Sequence, residues 1–551
     1  MSPRTHASLT ARALQWLVAC AALAAAPAVA QGPPGWSTDF AALEAQGVVI
    51  RSVRVNAGNI FDLSDPKENN RAFGWVNTLH ITTRPALIEA ALLFRAGERV
   101  SKQKIEETER LLREKSYIHD VAIRAVNIAD GAADIEINTK DAWSLTFGGS
   151  VSSTGGTRKT SIELTEFNFL GTGLRVGIAA RRDSERKGTL VEAGYSKAFD
   201  GWTEINALWS RFDDGARRAA SVVRPFYALD TRWAAGASTD RNDRIDTLYQ
   251  EGETAAEYRH VSHTTSAFGG LSRGLVDGWA TRWIAGVQAI DHRYALEPGK
   301  PAPIRLPTGT RSRAPYLEAQ WIEDRFVKLR NRNQIGRDEF LALGVNARAW
   351  FGYAMDSLGS SKDALIGGAA VSRGFAPGAD QNLLATLQWD RRIGTTGDML
   401  DQFGASFRWF MPQTRHWLLY AGGSLQSVHG GGAADQFLQG GQNGLRGYPA
   451  RYQTGTKRAL LSVEQRYYSE WYPFRLLRVG AAAYFDVGRA WGGDYQNRIN
   501  GGTLRDFGVG LRLAVDRAAF ANVLHLDVAF PLDRAGDVKS RQFVVKTEVS
   551  F

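Results

Sequence analysis

The 551-residue sequence holds a single cysteine, Cys20, so disulfides and thiolate metal sites are excluded from the rest of the chain. Beyond the first thirty residues no run of about 18 apolar residues occurs, which excludes a transmembrane helix. Helical periodicity is scarce after Asp141, which excludes a large helical body there. No phosphate loop and no convincing nucleotide fingerprint is present. Histidine is sparse, and the two closest candidates for a shared ligand, His260 and His263, stand three apart. A strand puts residues so spaced on opposite faces, so they make a poor metal pair.

What is present points to β-structure. The composition is 44% hydrophobic and 23% charged, which argues against wholesale disorder. Glycine (57), tryptophan (16), tyrosine (16) and phenylalanine (26) suit strands and tight turns better than long helices. Formal net charge is +10, of which Arg4 and Arg12 supply 2, leaving +8 for the remainder. The N-terminus reads as an export signal. After the two arginines, Ala13 to Ala26 is apolar apart from Gln15, and Ala28-Val29-Ala30 fits a cleavage site. Residues 1–30 are therefore expected to be a signal peptide; Leu17-Val18-Ala19-Cys20 offers the competing lipoprotein cleavage pattern. An exported chain makes nucleic acid an unsuitable partner, and the positive charge points instead to anionic lipid head groups or a polar lumen.

Residues 31–47, with Gly-Pro-Pro, read as a flexible lead-in. Residues 48–140 are mixed. Val49, Val53 and Val55 share a parity and predict a strand. Leu87 to Phe94 predicts a short helix, and Ser101 precedes a longer one with Ile105, Thr108, Leu111 and Leu112 at helical spacing. His119 to Ile128, Asp130-Gly131 and Ala133 to Thr139 predict a hairpin with an Asp-Gly turn.

From residue 141 to 551 short alternating runs recur, separated by Gly, Asp, Asn and Pro. Leu174, Val176, Ile178 and Ala180 alternate with Arg175, Gly177 and Arg181. Val509, Leu511 and Leu513 alternate with Gly508, Gly510 and Arg512; Leu524, Leu526 and Val528 with His525 and Asp527. A soluble β-sandwich array or a membrane barrel would produce this pattern. Apolar faces opposed to glycine, arginine and carboxylate favour a barrel with lipid outside and a polar lumen. Trp202, Trp209, Trp321, Trp350, Trp409, Trp417 and Trp491 lie near candidate strand ends, as interfacial girdles do. At about 25 residues for each strand and its connection, the fold class is an antiparallel transmembrane barrel of about 16 strands after a small α/β domain. Phe543, Val545, Val549 and Phe551 share one face of a final strand, as in a C-terminal assembly signal.

The most informative stretch runs from Gly440 to Gly488. Val479, Ala481, Ala483, Phe485 and Val487 form an apolar face, so Asp486 points into the lumen; Leu461, Val463 and Tyr467 face out, so Ser462, Glu464 and Arg466 face in. Buried carboxylates need partners, and Arg446, in a glycine-flanked loop, has a planar fork suited to two-point binding if that loop folds inside.

At these residues the chain resembles the BamA/TamA superfamily of outer-membrane insertases and translocators. Leu445-Arg446-Gly447-Tyr448, preceded by Gly444, is similar to its inward-folded loop motif, with leucine at the first motif position. Tyr484-Phe485-Asp486-Val487-Gly488 resembles its Phe-x-Asp-x-Gly strand, with tyrosine for the first phenylalanine. Glu464 resembles its strand-borne glutamate, and Glu166 to Gly173 the opening of its barrel. Phe94-x-x-Gly97, the Leu111-Leu112 helix, Tyr117-Ile118 and the hairpin resemble one POTRA domain, with a long insert from about Gly58 to Arg84. The resemblance implies an outer-membrane location with residues 48–140 in the periplasm, a role in inserting or exporting proteins, unfolded or exported protein substrates, and periplasmic or inner-membrane partner proteins. It implies no cofactor, metal or catalytic residue. Gly270-Leu271-Ser272-Arg273-Gly274 matches a nucleophile-elbow pattern, but that chemistry needs a strand, a strained turn and a helix, and none is predicted there. A passive porin or structural barrel that keeps the motifs for stability is the alternative, and the Arg446 ion pair is compatible with both.

Overall fold

A computed structural model describes residues 38–548, apart from 155–156, 183–185, 396–398, 433–434, 494–496, 498–499, 520–522 and 537. The expected signal peptide and the Val549 and Phe551 positions lie outside the described residues.

The chain opens with helices Phe40–Ala45 (α1), Arg71–Leu79 (α2), Pro85–Glu89 (α3) and Lys102–Arg113 (α4), and strands Val49–Gly58 (β1), Ile118–Ala129 (β2) and Ala132–Asp141 (β3). The three strands form one sheet in the order β1-β3-β2, with β1 parallel and β2 antiparallel to β3. Asp130 and Gly131 make the β2–β3 turn with both φ angles positive (53° and 70°), the backbone that a two-residue hairpin turn needs. Ser101 caps α4 by accepting from Lys104 N, and Ile105, Thr108 and Leu112 on one face of the helix are buried. Ile105 and Leu112 join Ile50, Phe94, Val121, Ile135 and Ile137 in a single apolar core. The lead-in assigned to residues 31–47 is thus not wholly flexible. Phe40 and Leu43 of α1 are buried in that core, so apolar burial orders a segment whose Gly-Pro-Pro start suggested a linker.

The remaining chain closes a barrel of 20 antiparallel strands, not 16. They are Leu145–Thr154 (β4), Thr157–Phe169 (β5), Leu174–Arg182 (β6), Lys187–Ala198 (β7), Thr203–Phe212 (β8), Gly215–Arg224 (β9) and Trp233–Gln250 (β10). Then follow Glu253–Val276 (β11), Trp279–Leu296 (β12) and Thr310–Glu323 (β13); a short hairpin of Phe326–Arg330 (β14) and Asp338–Ala342 (β15) stands outside the barrel sheet. The wall resumes with Asn346–Ala354 (β16), Ala364–Phe375 (β17), Asn382–Gly394 (β18), Met399–Pro412 (β19) and Trp417–His429 (β20). A second short pair, Phe437–Gln439 (β21) and Gln453–Gly455 (β22), precedes Lys457–Tyr468 (β23), Leu477–Trp491 (β24), Leu504–Val515 (β25), Val523–Pro531 (β26) and Gln542–Glu548 (β27). The count exceeds the expectation because many connections are minimal. Glu251-Gly252 and Asp277-Gly278, both pairs with positive φ, join β10 to β11 and β11 to β12 directly.

The alternation has the anticipated physical outcome. Val176, Ile178, Val509, Leu511 and Phe485 are exposed on the outside, while Asp486, Asp527 and Arg512 are buried within. Trp209, Trp321 and Trp417 are exposed on the outer wall. Two tryptophans assigned to girdles are not there. Trp202 stacks on Tyr227 at 3.8 Å under the Lys197 ammonium, and Trp350, whose neighbour Phe351 faces out, packs with Ala314, Ala354 and Ile366. Of the assembly-signal positions described, Phe543 is exposed and Val545 half-buried, with Val544 fully buried between them. No helix among the described residues is long and apolar enough to cross a membrane.

The N-terminal domain is bound to one mouth of the barrel through widely separated turns. Thr83 Oγ1 accepts from Asn168 Nδ2 (2.8 Å), Ala90 O from Lys197 Nζ (3.1 Å), Glu107 Oε1 from Leu229 N (2.9 Å), and Glu68 pairs with Arg517 (2.7 Å). The insert after β1 supplies part of this surface: Phe61 stacks on Phe73 at 3.9 Å, and Arg517 reaches the Ile60 carbonyl.

Candidate functional site

The chain between β20 and β23 turns back into the barrel, and its short β21–β22 pair puts Gln439 opposite Gln453. Gln453 pins this loop: its side chain donates to Asn500 O and Gly502 O (both 2.8 Å) and accepts from Ala490 N (2.9 Å). Gly444 has φ +85°, and a Cβ there would collide with the Leu460 side chain, so only glycine fits both the backbone and the space. Leu445 is fully buried with φ 58°, a conformation uncommon for leucine, and packs with Tyr448, Tyr452 and Leu504. Gly447 lets the loop lie against β25; a Cβ would stand 2.7 Å from that of Asp506. The Tyr448 hydroxyl donates to Arg505 O (2.9 Å) and accepts from Asp533 N (3.0 Å).

These constraints aim Arg446 at the wall. Its Nε and Nη2 donate to the two oxygens of Asp486 (2.8 and 2.9 Å), a two-point fork, and its Nη1 lies 2.9 Å from Glu464. Ser462 completes the shell, bonded to Asp486 at 2.6 Å and to Arg446 Nη2 at 3.1 Å. The guanidinium also lies 3.3 Å from the ring centre of Tyr484, a cation–π contact in a water-poor site. Gly488, next on the same face, leaves room for Gln439, whose Nε2 would be 3.1 Å from a Cβ there. Glu464, Tyr484, Asp486 and Gly488 thus share one inward face with Arg446 against it, as strand parity requires: Ser462 pairs with Asp486 and Glu464 with Tyr484 across β23 and β24.

The cluster is larger than the motif residues. Glu464 also binds Arg466 at 2.9 Å, and Asp527 lies 3.8 Å from Arg446 while pairing with Arg512. Three guanidiniums therefore face three carboxylates, with Asp506 opposite Asp486 across β24 and β25 as a fourth. Arg512 and Asp527 were not singled out from the sequence, although both sit on the inward parity of their strands; the signal was there once Leu511 and Leu526 were read as facing out. Such a set, almost wholly buried, needs near-complete pairing, since removing one ion strands the others. It can hold a loop in one place, and it contains no nucleophile–base pair.

The other sequence candidates stand apart. Ser272 lies in β11 at a register shift, donates to Thr281 O and accepts from Gly274 N, with no helix following. His260 is buried and bonded to Asp246 (2.6 Å) and His292 (2.9 Å), whereas His263 is exposed on the other face beside Thr239.

Comparison with known proteins places this site in context. The Omp85 superfamily domain matches residues 383–550, which hold the loop and every strand of the ion cluster. Among solved structures, BamA from Haemophilus ducreyi lacking POTRA domains 1–3 is 13% identical with TM-score 0.38, covering 91% of this chain and 84% of that one. CdiB from Escherichia coli is 13% identical with TM-score 0.47, covering 91% and 76%. CdiB from Acinetobacter baumannii is 12% identical with TM-score 0.43, covering 91% and 73%. No curated protein sequence matches. Residues 383–550 of this chain thus carry an Omp85 superfamily domain.

Proposed function

We propose that this protein acts in inserting proteins into the bacterial outer membrane, or in exporting them across it. The observation that carries the reading is the seam between the last and first strands. Among the described strands, β27 and β4 are the wall neighbours that stand at opposite ends of the chain with no connection between them; they meet antiparallel, with Val545 registered on Ser153. A seam without a connecting turn is the place where the wall can part, because only ladder bonds must be given up to open it. The lumen beside it is occupied by the Arg446 loop, which favours handling of a polypeptide over free diffusion through an open pore.

In this reading residues 48–140 are a POTRA-like periplasmic domain that receives an unfolded segment. The outer edge of β1 is already used at its start, where Ile50 N and Val48 O bond Glu98 O and Val100 N. The edge of β2 carries side-chain bonds only, from Arg113 to Val121 O and from Ala125 N to Thr38 within the domain, and would exchange them for those of an added strand. Lipids of the outer membrane contact the apolar wall, and periplasmic or inner-membrane proteins would deliver substrate. No step requires a cofactor or covalent chemistry.

The test is the outer-membrane and secreted protein content of cells lacking the gene, complemented with wild type or Arg446→Ala. Loss of particular proteins on deletion, restored by wild type and not by a normally folded Arg446→Ala, is expected. An unchanged protein profile on deletion would sink the proposal in favour of a structural barrel or porin.

A further inference from the structure

The β14–β15 hairpin is surplus to the barrel, whose strands close without it. It leaves the wall between β13 and β16 at the mouth beside the N-terminal domain, yet its tip is not in solvent. Ile335 is 2% exposed and packs in one cluster with Phe410, Leu418, Tyr468, Ala482 and Ala514. Those residues belong to β19, β20, β23, β24 and β25, which stand four to eight places round the 20-strand barrel from β13. The hairpin therefore crosses the mouth rather than folding beside its own strands. Polar contacts fix it there: Arg332 Nε donates to Asn382 Oδ1 (3.0 Å), Arg408 to Asn333 Oδ1 (3.2 Å), and Arg466 Nη1 to Arg332 O (3.2 Å). Arg466 is the residue that binds Glu464, so tip and inner loop touch the same ion cluster from opposite ends.

The hairpin is also tied to the N-terminal domain. Lys328 pairs with Glu109 of α4 at 2.9 Å, and Arg337 Nη2 donates to His119 O of β2 at 3.2 Å. His119 stands at the shift in the β2–β3 register, between Ile118 and Asp120, and its carbonyl takes Arg337 on the edge that an incoming strand would use. The next outward carbonyl, Val121 O, accepts from Arg113. A strand added across these positions would take both carbonyls, displacing Arg113 from one and Arg337 from the other.

We propose that the β14–β15 hairpin is a plug for this mouth, latched by Arg337 to the edge of β2, so that a closed latch and a strand added at that edge exclude one another. The exclusion rests on the proposed reception of an unfolded segment by β2; the plug and its latch do not.

The test uses the full-length protein with Cys20 replaced, which leaves no other cysteine. Ile335→Cys is exposed to a membrane-impermeant maleimide in lipid vesicles open to the reagent. Slow labelling is expected, rising about tenfold or more with Arg337→Ala plus Lys328→Ala, since a weaker latch populates the open state more. In planar bilayers, replacing residues 331–336 by Asn-Gly is expected to raise conductance several-fold. Fast labelling without the latch changes, or unchanged conductance in a shortened chain that keeps its folded-barrel gel shift, would overturn the plug. Slow labelling that the latch changes fail to accelerate would overturn the latch. If the shortened chain does not fold, labelling alone decides. Neither readout needs a protein substrate, so these results stand or fall separately from insertion or export.

Discussion

Replacing Arg446 by alanine is the sharpest perturbation of the ion cluster. The side chain is 7% exposed and supplies three charge-assisted contacts, two to Asp486 and one to Glu464. Its loss leaves Asp486 with Ser462 and Glu464 with Arg466, so neither carboxylate is wholly bare. Breaking a buried pair by removing one partner costs about 3–5 kcal/mol, and the remaining bonds put the expectation near the lower end, about 3 kcal/mol. Arg446→Lys keeps the charge but loses the fork, and should cost less. The assay is urea unfolding of the barrel refolded in lipid vesicles, followed by tryptophan fluorescence and gel shift. A double-mutant cycle with Asp486→Asn isolates the pair: the double variant should lose less than the sum of the singles, with a coupling on the order of 1–3 kcal/mol. A single-variant cost below about 1 kcal/mol, or strict additivity, would refute the reasoning, since it would mean that the lumen solvates the carboxylates as well as arginine does.

Three further outcomes are expected. Burial holds His119 down at about 4, with Asp516 opposing the shift and Arg337 and Arg517 adding to it; the unfolded residue, near 6.5, binds its proton first. The folded and docked N-terminal domain should therefore lose a few kcal/mol against the unfolded chain as pH falls from about 6.5 towards 4, and unchanged protease resistance of the domain across that window would count against it. Gly444→Ala should cost at least about 1–3 kcal/mol through its positive φ and the Leu460 collision, seen as faster proteolysis within residues 440–456. Ser272→Ala should lose only its two hydrogen bonds, about 1 kcal/mol, with no change in lipid hydrolysis; an abolished activity would revive the serine as a nucleophile.

The inward direction of Asp486 and Glu464 was legible because a strand has a period of two, so a single well-marked apolar face orients every residue on it. The return of the Arg446 loop into the lumen was not contained in any periodicity; the need of the inward carboxylates for a partner and the resemblance of Leu445 to Tyr448 suggested it. The strand count failed where connection length matters, since Asp277-Gly278 takes two residues and the β20–β23 loop more than twenty. Trp350 misled because an aromatic near a strand end is ambiguous until the parity of Phe351 is fixed. The β14–β15 hairpin was invisible as a plug: Phe326, Val327 and Leu329 look like any short strand, and what sets them apart is a contact with strands distant in sequence.

The contacts that hold the N-terminal domain to the barrel also impose a chronology. Glu68 and Arg517 are 449 positions apart, and Ile335 finds its pocket only when β19 to β25 stand side by side. The domain emerges first in synthesis and has its own core, so it can fold long before its docking surface exists. Throughout that interval the His119 carbonyl lacks Arg337, and the start of the β2 edge is open to stray pairing. Maturation of this protein thus ends, rather than begins, with the closing of its first domain onto the mouth.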